Sequence, residues 1–383
     1  MPYITFLVPY KGPQVTFDDI LNGIEGKRML ELNNPKNTFD TKTIFKVKTP
    51  DKLIDWYKID SVVTALARFC RNHEKLINTP DKKTLYHSFL IPKHSGGMRK
   101  IDAPLPPLMG ALRELKGIME SICYASYHTS AFAYIRGRNA VDSVRRHQQN
   151  QSRWFLKLDF HDFFGSTTPE FVLKQLEQIY PYNLILVSEY GRKYLQEALS
   201  LCFLNGGLPQ GTPISPMLTN LIMIPIDHRL AKMAREDFKV HMRYTRYADD
   251  ILISSTIDFR WKEVEDKIVE ILNNFGAPFK LNTKKTRFGS SSGANWNLGV
   301  MLNEHNEITI GQKRKKYLKA ALFSLFSDYM SQKRWNPEDA QVLDGQISYY
   351  KMVEKNSIEK IIKTYEEKFK TPYKSALKYA LGL

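Results

Sequence analysis

Apolar residues recur along this chain with two different periods, and the switches between them mark its elements. Tyr86 to Ile91 reads as a strand. The Gly-Gly turn of Pro92-Lys-His-Ser-Gly-Gly-Met-Arg-Lys100 follows, then a second strand that stops at Pro104, so this stretch predicts a hairpin. Leu108, Leu112, Leu115, Met119 and Ile122 fall at helical spacing. Trp154 to Phe160 has the character of a largely buried strand. Helical patterning covers Pro169 to Tyr180 and Ser188 to Phe203. Asn205 to Pro213 carries loop chemistry and leads into an apolar helix beginning near Ile214. Arg243 to Ser254 is rich in β-formers but interrupted by Asp249-Asp250, which predicts a hairpin with two carboxylates on its turn. Val264, Ile268, Ile271, Leu272 and Phe275 mark an amphipathic helix. Short strands are expected at Trp296–Val300 and Ile308–Ile310. Leu318, Leu322, Leu325 and Tyr329 form one apolar stripe, and Ile358, Ile361, Ile362, Tyr365 and Phe369 another. Residues 1 to about 80 show no motif, and the chain has no internal repeat.

A length of 383 residues allows two or three subdomains. Charge alters the picture more than size does. Lys and Arg total 56 against 40 Asp and Glu, a net charge of +16. A field of that sign attracts phosphate polymers or anionic membranes. No stretch approaches the roughly 20 apolar residues that span a bilayer, and the apolar opening Met1 to Val8 lacks the basic flank of a signal peptide. Nucleic acid is the expected partner, and membrane is not. Cys70, Cys123 and Cys202 are odd in number, far apart and without metal-binding spacing, so they read as buried small hydrophobes in a reducing cytoplasm.

Carboxylates on strand ends and turns suit a hard cation such as Mg²⁺, which takes oxygen ligands together with substrate phosphates. Asp159 ends one buried strand, and Asp249 begins a turn between two others. If the strands are neighbours, the acids converge, as a two-metal phosphoryl-transfer site requires. Taken alone, Asp159 reads more simply as a strand-end turn or a helix cap.

Five stretches, in this order, resemble the blocks of bacterial reverse transcriptases, the group that includes retron, group II intron and phage-defence enzymes. They are Ile91 to Pro104, Ala131 to Ala140, Lys157-Leu-Asp-Phe-His-Asp-Phe-Phe164, Gly207-Leu-Pro-Gln-Gly-Thr-Pro-Ile-Ser-Pro216 and Arg246-Tyr-Ala-Asp-Asp250. The resemblance implies an α+β right-hand polymerase. Residues 1–84 would form an N-terminal part of the fingers, 85–300 fingers and palm with an antiparallel sheet, and 301–383 a short helical thumb. It implies two Mg²⁺ ions, with Mn²⁺ as a substitute, held by Asp159, Asp249, Asp250 and the Phe160 carbonyl. Lys93 and Arg99 would meet the triphosphate of an incoming dNTP. Phe164 would exclude a 2′-hydroxyl, and Gln210 and Gly211 would lie beside the new base pair. Lys285, with Lys284 a near-equal alternative, would act as general acid toward pyrophosphate. Asn297 and Gly299 would grip the primer. Lys313, Arg314, Lys315 and Lys316 would track the RNA template and its DNA product along the thumb.

Three departures narrow the subfamily. Retron enzymes carry Asn-Ala-x-x-His, whereas Asn139-Ala140 is followed by His147 at another spacing, and the retron thumb motif Val-Thr-Gly is missing. About eighty residues follow the primer-grip turn, too few for an appended maturase. By elimination the chain resembles stand-alone, defence-associated enzymes that copy a dedicated noncoding RNA, as a homo-oligomer or with a partner defence protein. An inactive RNA-binding scaffold and a template-free or protein-primed polymerase are the alternatives.

Overall fold

The computed structural model describes residues 3–5, 46–48, 56–92, 96–122, 127–238, 240–291 and 300–383. In chain order the strands are β1 (Tyr3–Thr5), β2 (Lys46–Lys48), β3 (Tyr86–Pro92), β4 (Met98–Pro104), β5 (Trp154–His161), β6 (Met242–Tyr247), β7 (Asp250–Ser255), β8 (Lys280–Leu281), β9 (Arg287–Ser290), β10 (Met301–Leu302) and β11 (Ile308–Thr309). The helices are α1 (Trp56–Asn72), α2 (Glu74–Ile77), α3 (Pro106–Ser121), α4 (Ala140–Gln149), α5 (Pro169–Leu176), α6 (Tyr182–Val187), α7 (Glu189–Leu199), α8 (Ser215–Ile222), α9 (Ile224–Glu236), α10 (Trp261–Asn274), α11 (Gln312–Met330), α12 (Pro337–Phe369) and α13 (Tyr373–Leu381).

The central sheet is antiparallel, in the order β6-β7-β5-β8, with β9 also pairing with β5. Its middle strands are apolar on both faces because helices cover them. Leu156 and Leu158 of β5 lie opposite Ile253 and Ile251 of β7, and all four are buried. One core runs through the sheet into the surrounding helices. It takes in Leu108, Leu112, Leu115 and Met119 of α3 as well as Leu66 and Phe69 of α1. Each such side chain contributes roughly 1.5–3 kcal/mol of transfer free energy. Cys70 and Cys202 are buried and free; Cys123 lies outside the described residues. The β3–β4 hairpin, by contrast, stands largely in solvent and turns at Gly96 and Gly97, whose φ values of +85° and +80° suit glycine.

The C-terminal helices have a core of their own, with Leu318, Leu322 and Phe326 of α11 against Leu343, Ile347, Ile358 and Ile362 of α12 and Ala376 of α13. A small cluster of Val144, Phe155, Leu252, Val300 and Leu302 lies where this unit meets the sheet. α12 kinks at Glu354, whose φ and ψ are −144° and 68°. The Glu354 carboxylate accepts from the Ile310 backbone N–H (2.9 Å) and the Thr309 hydroxyl (3.1 Å), and Lys315 Nζ lies 2.6 Å away. Among the described residues no helix is long and apolar enough to cross a membrane.

α4 is fixed to the sheet by a chain of buried hydrogen bonds. Ser143 donates to the Thr245 hydroxyl (2.9 Å), which lies 2.8 Å from His147 Nε2; His147 Nδ1 lies 2.6 Å from the Ser254 hydroxyl, which donates to Ser152 (2.7 Å). With Ser254 donating to Ser152, its oxygen accepts from Nδ1, so a neutral imidazole here carries its proton on Nδ1. Burial pushes the His147 pKa down to about 3, with the Arg243 charge adding to the effect. The unfolded chain therefore takes up a proton below about pH 6.5 that the native state refuses, and stability falls with pH across that window by about 1.4 kcal/mol per unit. His147→Gln should flatten the decline in unfolding free energy between pH 7 and pH 5 by about that slope, as urea titrations at each pH would measure. An equal decline in the variant would mean that His147 is protonated in the native state.

Candidate active site

The site lies at one end of the sheet because register puts it there. Asp159 on β5 is directly opposite Asp250 on β7, so their side chains share a face. Asp249 occupies the two-residue turn between β6 and β7, and its carbonyl accepts from Phe160 N–H (3.1 Å), which holds the turn against β5. The turn's first residue, Ala248, has φ +55°, a left-handed conformation that costs a non-glycine residue about 1–3 kcal/mol.

Arg246 holds that turn in place. Its side chain is fully buried and forks onto Asp227 of α9, Nε to Oδ1 at 2.8 Å and Nη2 to Oδ2 at 2.7 Å. The remaining Nη1 donates to Asn220 Oδ1 (3.2 Å) and to the carbonyl of Ala248 (3.1 Å). Tyr244 donates to the same Asp227 carboxylate (2.6 Å). The Arg246 backbone extends the network, pairing with Ser130 and Phe132 of the segment beside β6.

Charge is concentrated at the sheet end. Burial raises the Asp249 pKa, and the neighbouring Asp250 and Asp159 charges add to it; burial likewise raises Asp250, against the lowering effect of Lys157. Two lysines face the three acids. Lys285, on the short turn Thr283–Lys285, places Nζ 2.9 Å and 3.1 Å from the two oxygens of Asp159, and Lys157 lies 3.0 Å from Asp250. Among the described residues Lys284 pairs with no carboxylate, so geometry separates two lysines that the sequence left level.

No three His, Cys, Asp or Glu side chains among the described residues are gathered closely enough to hold an ion. The donors nevertheless fit a divalent cation. All are oxygens, the charge is three acids against two lysines, and buried Asp159 Oδ1 accepts no well-aligned hydrogen bond even from Lys285.

The nucleotide loop meets both neighbouring regions. Asp102 N–H of β4 donates to the Gln210 carbonyl (2.8 Å), and Gly211, at φ +121°, lies so near Asp102 that a Cβ would come within 3.0 Å of its carbonyl oxygen. Leu208 N–H donates to the Phe164 carbonyl (3.0 Å). The Phe164 ring is partly buried, edge-on to Phe163 and to Tyr134, whose own ring is exposed. Partial desolvation and the Asp249 charge raise the Tyr134 phenol, which Arg99 opposes. Tyr134 and Lys157 were not singled out from sequence. The two-residue period placing Lys157 on the face of Asp159 was the available signal. Lys93, Asn297 and Gly299 lie outside the described residues.

On α11, Lys313 and Lys316 are exposed and Arg314 faces Tyr349 of α12. Lys315 departs from the expected outward run, because the kink in α12 aims Glu354 at it and holds it inward.

The family model for reverse transcriptase (RNA-dependent DNA polymerase) matches residues 91–318, more than half of the chain. The chain belongs to the reverse transcriptase family. This reverse transcriptase is similar to Retron Ec83 reverse transcriptase of Escherichia coli, 27% identical over 78% of this chain and 92% of that protein. It is also similar to Retron Ec73 reverse transcriptase of Escherichia coli, 26% identical over 73% and 87%. Retron Mx65 reverse transcriptase of Myxococcus xanthus is 29% identical over 72% and 63%. A structure of apo telomerase from Candida tropicalis, truncated from the C-terminal domain, matches at a TM-score of 0.43 with 14% identity over 72% and 62%, too distant to bear on function. The fold is the right-hand polymerase and the enzyme an RNA-directed DNA polymerase. Retron-type relatives also qualify the elimination made from the displaced histidine. Ser143 occupies the position of that motif's His, and His147, one helical turn later, reaches the same Thr245 hydroxyl.

The buried fork should dominate local stability in this reverse transcriptase. Asp227→Asn leaves a buried guanidinium unpaired and should cost about 3–5 kcal/mol. Tyr244→Phe removes one hydrogen bond and should cost about 1–3 kcal/mol. Denaturant unfolding of both variants checks the ranking, and equal costs would contradict it.

Proposed function

We propose that this reverse transcriptase copies an RNA template, a dedicated noncoding RNA, into DNA through a centre formed by Asp159, Asp249 and Asp250. The observation that carries the reading is the convergence of three acids, ninety residues apart in sequence, on one end of the sheet. Their oxygens and the Phe160 carbonyl would hold two Mg²⁺ ions, which supply positive charge to the attacking and leaving oxygens of phosphoryl transfer.

The chain's own groups have separate tasks in this reading. Asp249 and Asp250, raised by burial and by neighbouring carboxylates, favour a cation over empty space. Lys285 holds a proton beside Asp159, where the departing pyrophosphate needs one. Arg99, exposed on β4, presents a planar fork to the triphosphate of a dNTP, with Lys93 as its companion. Phe164 faces the sugar, Gln210 and Gly211 flank the base pair, and Asn297 and Gly299 hold the primer. Lys313, Arg314 and Lys316 line the template–product duplex; Lys315 serves the thumb's base instead. An N-terminal part of the fingers would end at about residue 84, fingers and palm together would run to about 300, and the thumb would follow. A role in phage defence, with a homo-oligomer or a partner protein in the cytoplasm, rests on the resemblance to stand-alone enzymes.

Asp249→Asn removes charge with little change in volume. Primer extension on RNA should fall by orders of magnitude. The unfolding midpoint should stay level or rise, because a buried like-charge contact with Asp250 is relieved. Normal extension by the variant would overturn the assignment. Phe164→Ala should raise ribonucleotide incorporation relative to deoxynucleotide in single-nucleotide assays. Unchanged discrimination in an active variant would make Phe164 a packing residue only.

A further inference from the structure

Outside the sheet edge, α4 and the segment before it border a cavity of about 260 Å³ that opens widely to solvent. Arg138, Arg145 and Arg146 line it, with Phe132, Asp142 and Gln149. Its charge is unbalanced. Arg145 spends one Nη on Asp142 (2.9 Å), the cavity's one carboxylate. Arg138 donates to the carbonyls of His128 and Ala131, both at 2.7 Å, which fixes its guanidinium without neutralising it. Arg146 is exposed and pairs with no carboxylate among the described residues. It lies close enough to Arg138 that its charge adds to burial in lowering the Arg138 pKa. Three forks around one hollow repel each other unless an anion sits between them, and a phosphate accepts such forks in pairs.

The surroundings favour a polymer over a free nucleotide. The far end of α4 is tied to the β10–β11 hairpin by reciprocal bonds, Gln148 Nε2 to the Asn306 carbonyl and Asn306 Nδ2 to the Gln148 carbonyl, both at 2.9 Å. That hairpin leads into α11 and its exposed Lys313 and Lys316. Two separate groups of basic side chains, one at the cavity and one at the start of α11, are thus tied into connected elements, and a polymer can reach both where a free nucleotide reaches one. We propose that this arginine-lined cavity binds a backbone phosphate of RNA, at a site separate from the three carboxylates. The proposal rests on the reading of the chain as an RNA-copying polymerase and adds a second anchoring point for the RNA.

The test uses the full chain carrying Arg145→Gln and Arg146→Gln, with Arg138 kept because it braces the backbone. The probes are a fluorescent hairpin RNA with single-stranded flanks, titrated at several salt concentrations, and an oligo(dT) primer extended on poly(rA) at saturation. Hairpin affinity should fall about tenfold, and the log–log salt slope should become shallower by about 1–2, because each lost phosphate contact removes about 0.7–0.9. The saturated extension rate should stay within about twofold of the parent, as the metal-binding acids are untouched. Unchanged affinity and slope would overturn the proposal while leaving the polymerase reading intact. A parent chain that cannot extend the primer would instead sink that reading. If saturated extension falls together with affinity, the arginines belong to the polymerase site and the separate site is refuted. Inorganic phosphate and AMP form a third arm. If they raise the parent's melting temperature but not the variant's, while RNA affinity is equal in both, the cavity takes free nucleotides and the RNA assignment fails. Should the double variant melt early, Arg146→Gln alone decides, since its side chain is exposed.

Discussion

A guanidinium with no solvent contact, clasped by a carboxylate with none, is the constraint on which the acidic end of the sheet depends. Burying both charges costs several kcal/mol of hydration for each, and their attraction recovers that only with good geometry and a full set of hydrogen bonds. Arg246 has both. Its fork meets Asp227 on α9, and its last nitrogen reaches Asn220 on α8 and the Ala248 carbonyl in the turn. Two helices, an edge strand and a strained turn are thereby referred to one planar group. An apolar substitute of equal volume could fill the space, but it could not hold the turn's carbonyl.

The acids are held by opposed tendencies. Cross-strand register forces Asp159 against Asp250, and the turn adds Asp249 beside them. Left alone, such a cluster would splay apart or take up protons. Lys285 and Lys157 prevent the first by pinning one acid each. The rigid turn keeps Asp249 in place without a lysine of its own. The cluster is therefore organised yet still short of positive charge, as a cation-binding centre should be.

Much of this was legible in the sequence, for identifiable reasons. Strands β3, β5 and β7 announced themselves by runs of aromatic and aliphatic residues with sharp turn chemistry beside them, and the paired acids of Asp249-Asp250 stood out against them. The first half of α12 was passed over although Leu343, Ile347 and Tyr350 fall at helical spacing there, and its kink lies at Glu354, whose ion pair and hydrogen bonds no local pattern announces. α4 was missed for a different reason. Its inward face is built from Ser143 and His147 as much as from Val141 and Val144, so an apolar stripe is absent. Sequence also treats every arginine as a surface cation, which hides Arg246, and every lysine in a basic run alike, which hides the inward turn of Lys315. Which of Lys284 and Lys285 meets an acid depends on a single short turn, a property of geometry that composition does not carry.

The thumb's separate core has a mechanical consequence. A module that keeps its own apolar interior can rotate against the palm without exposing that interior, so its displacement costs only the contacts at the boundary. Those are the small cluster around Val144, Phe155 and Leu252 and the paired bonds between Gln148 and Asn306. Polar contacts of this kind can be exchanged for water at little net cost. Inside the module the kink at Glu354, bonded to Lys315, Thr309 and Ile310, would keep α11, α12 and the β10–β11 hairpin together in such a rotation.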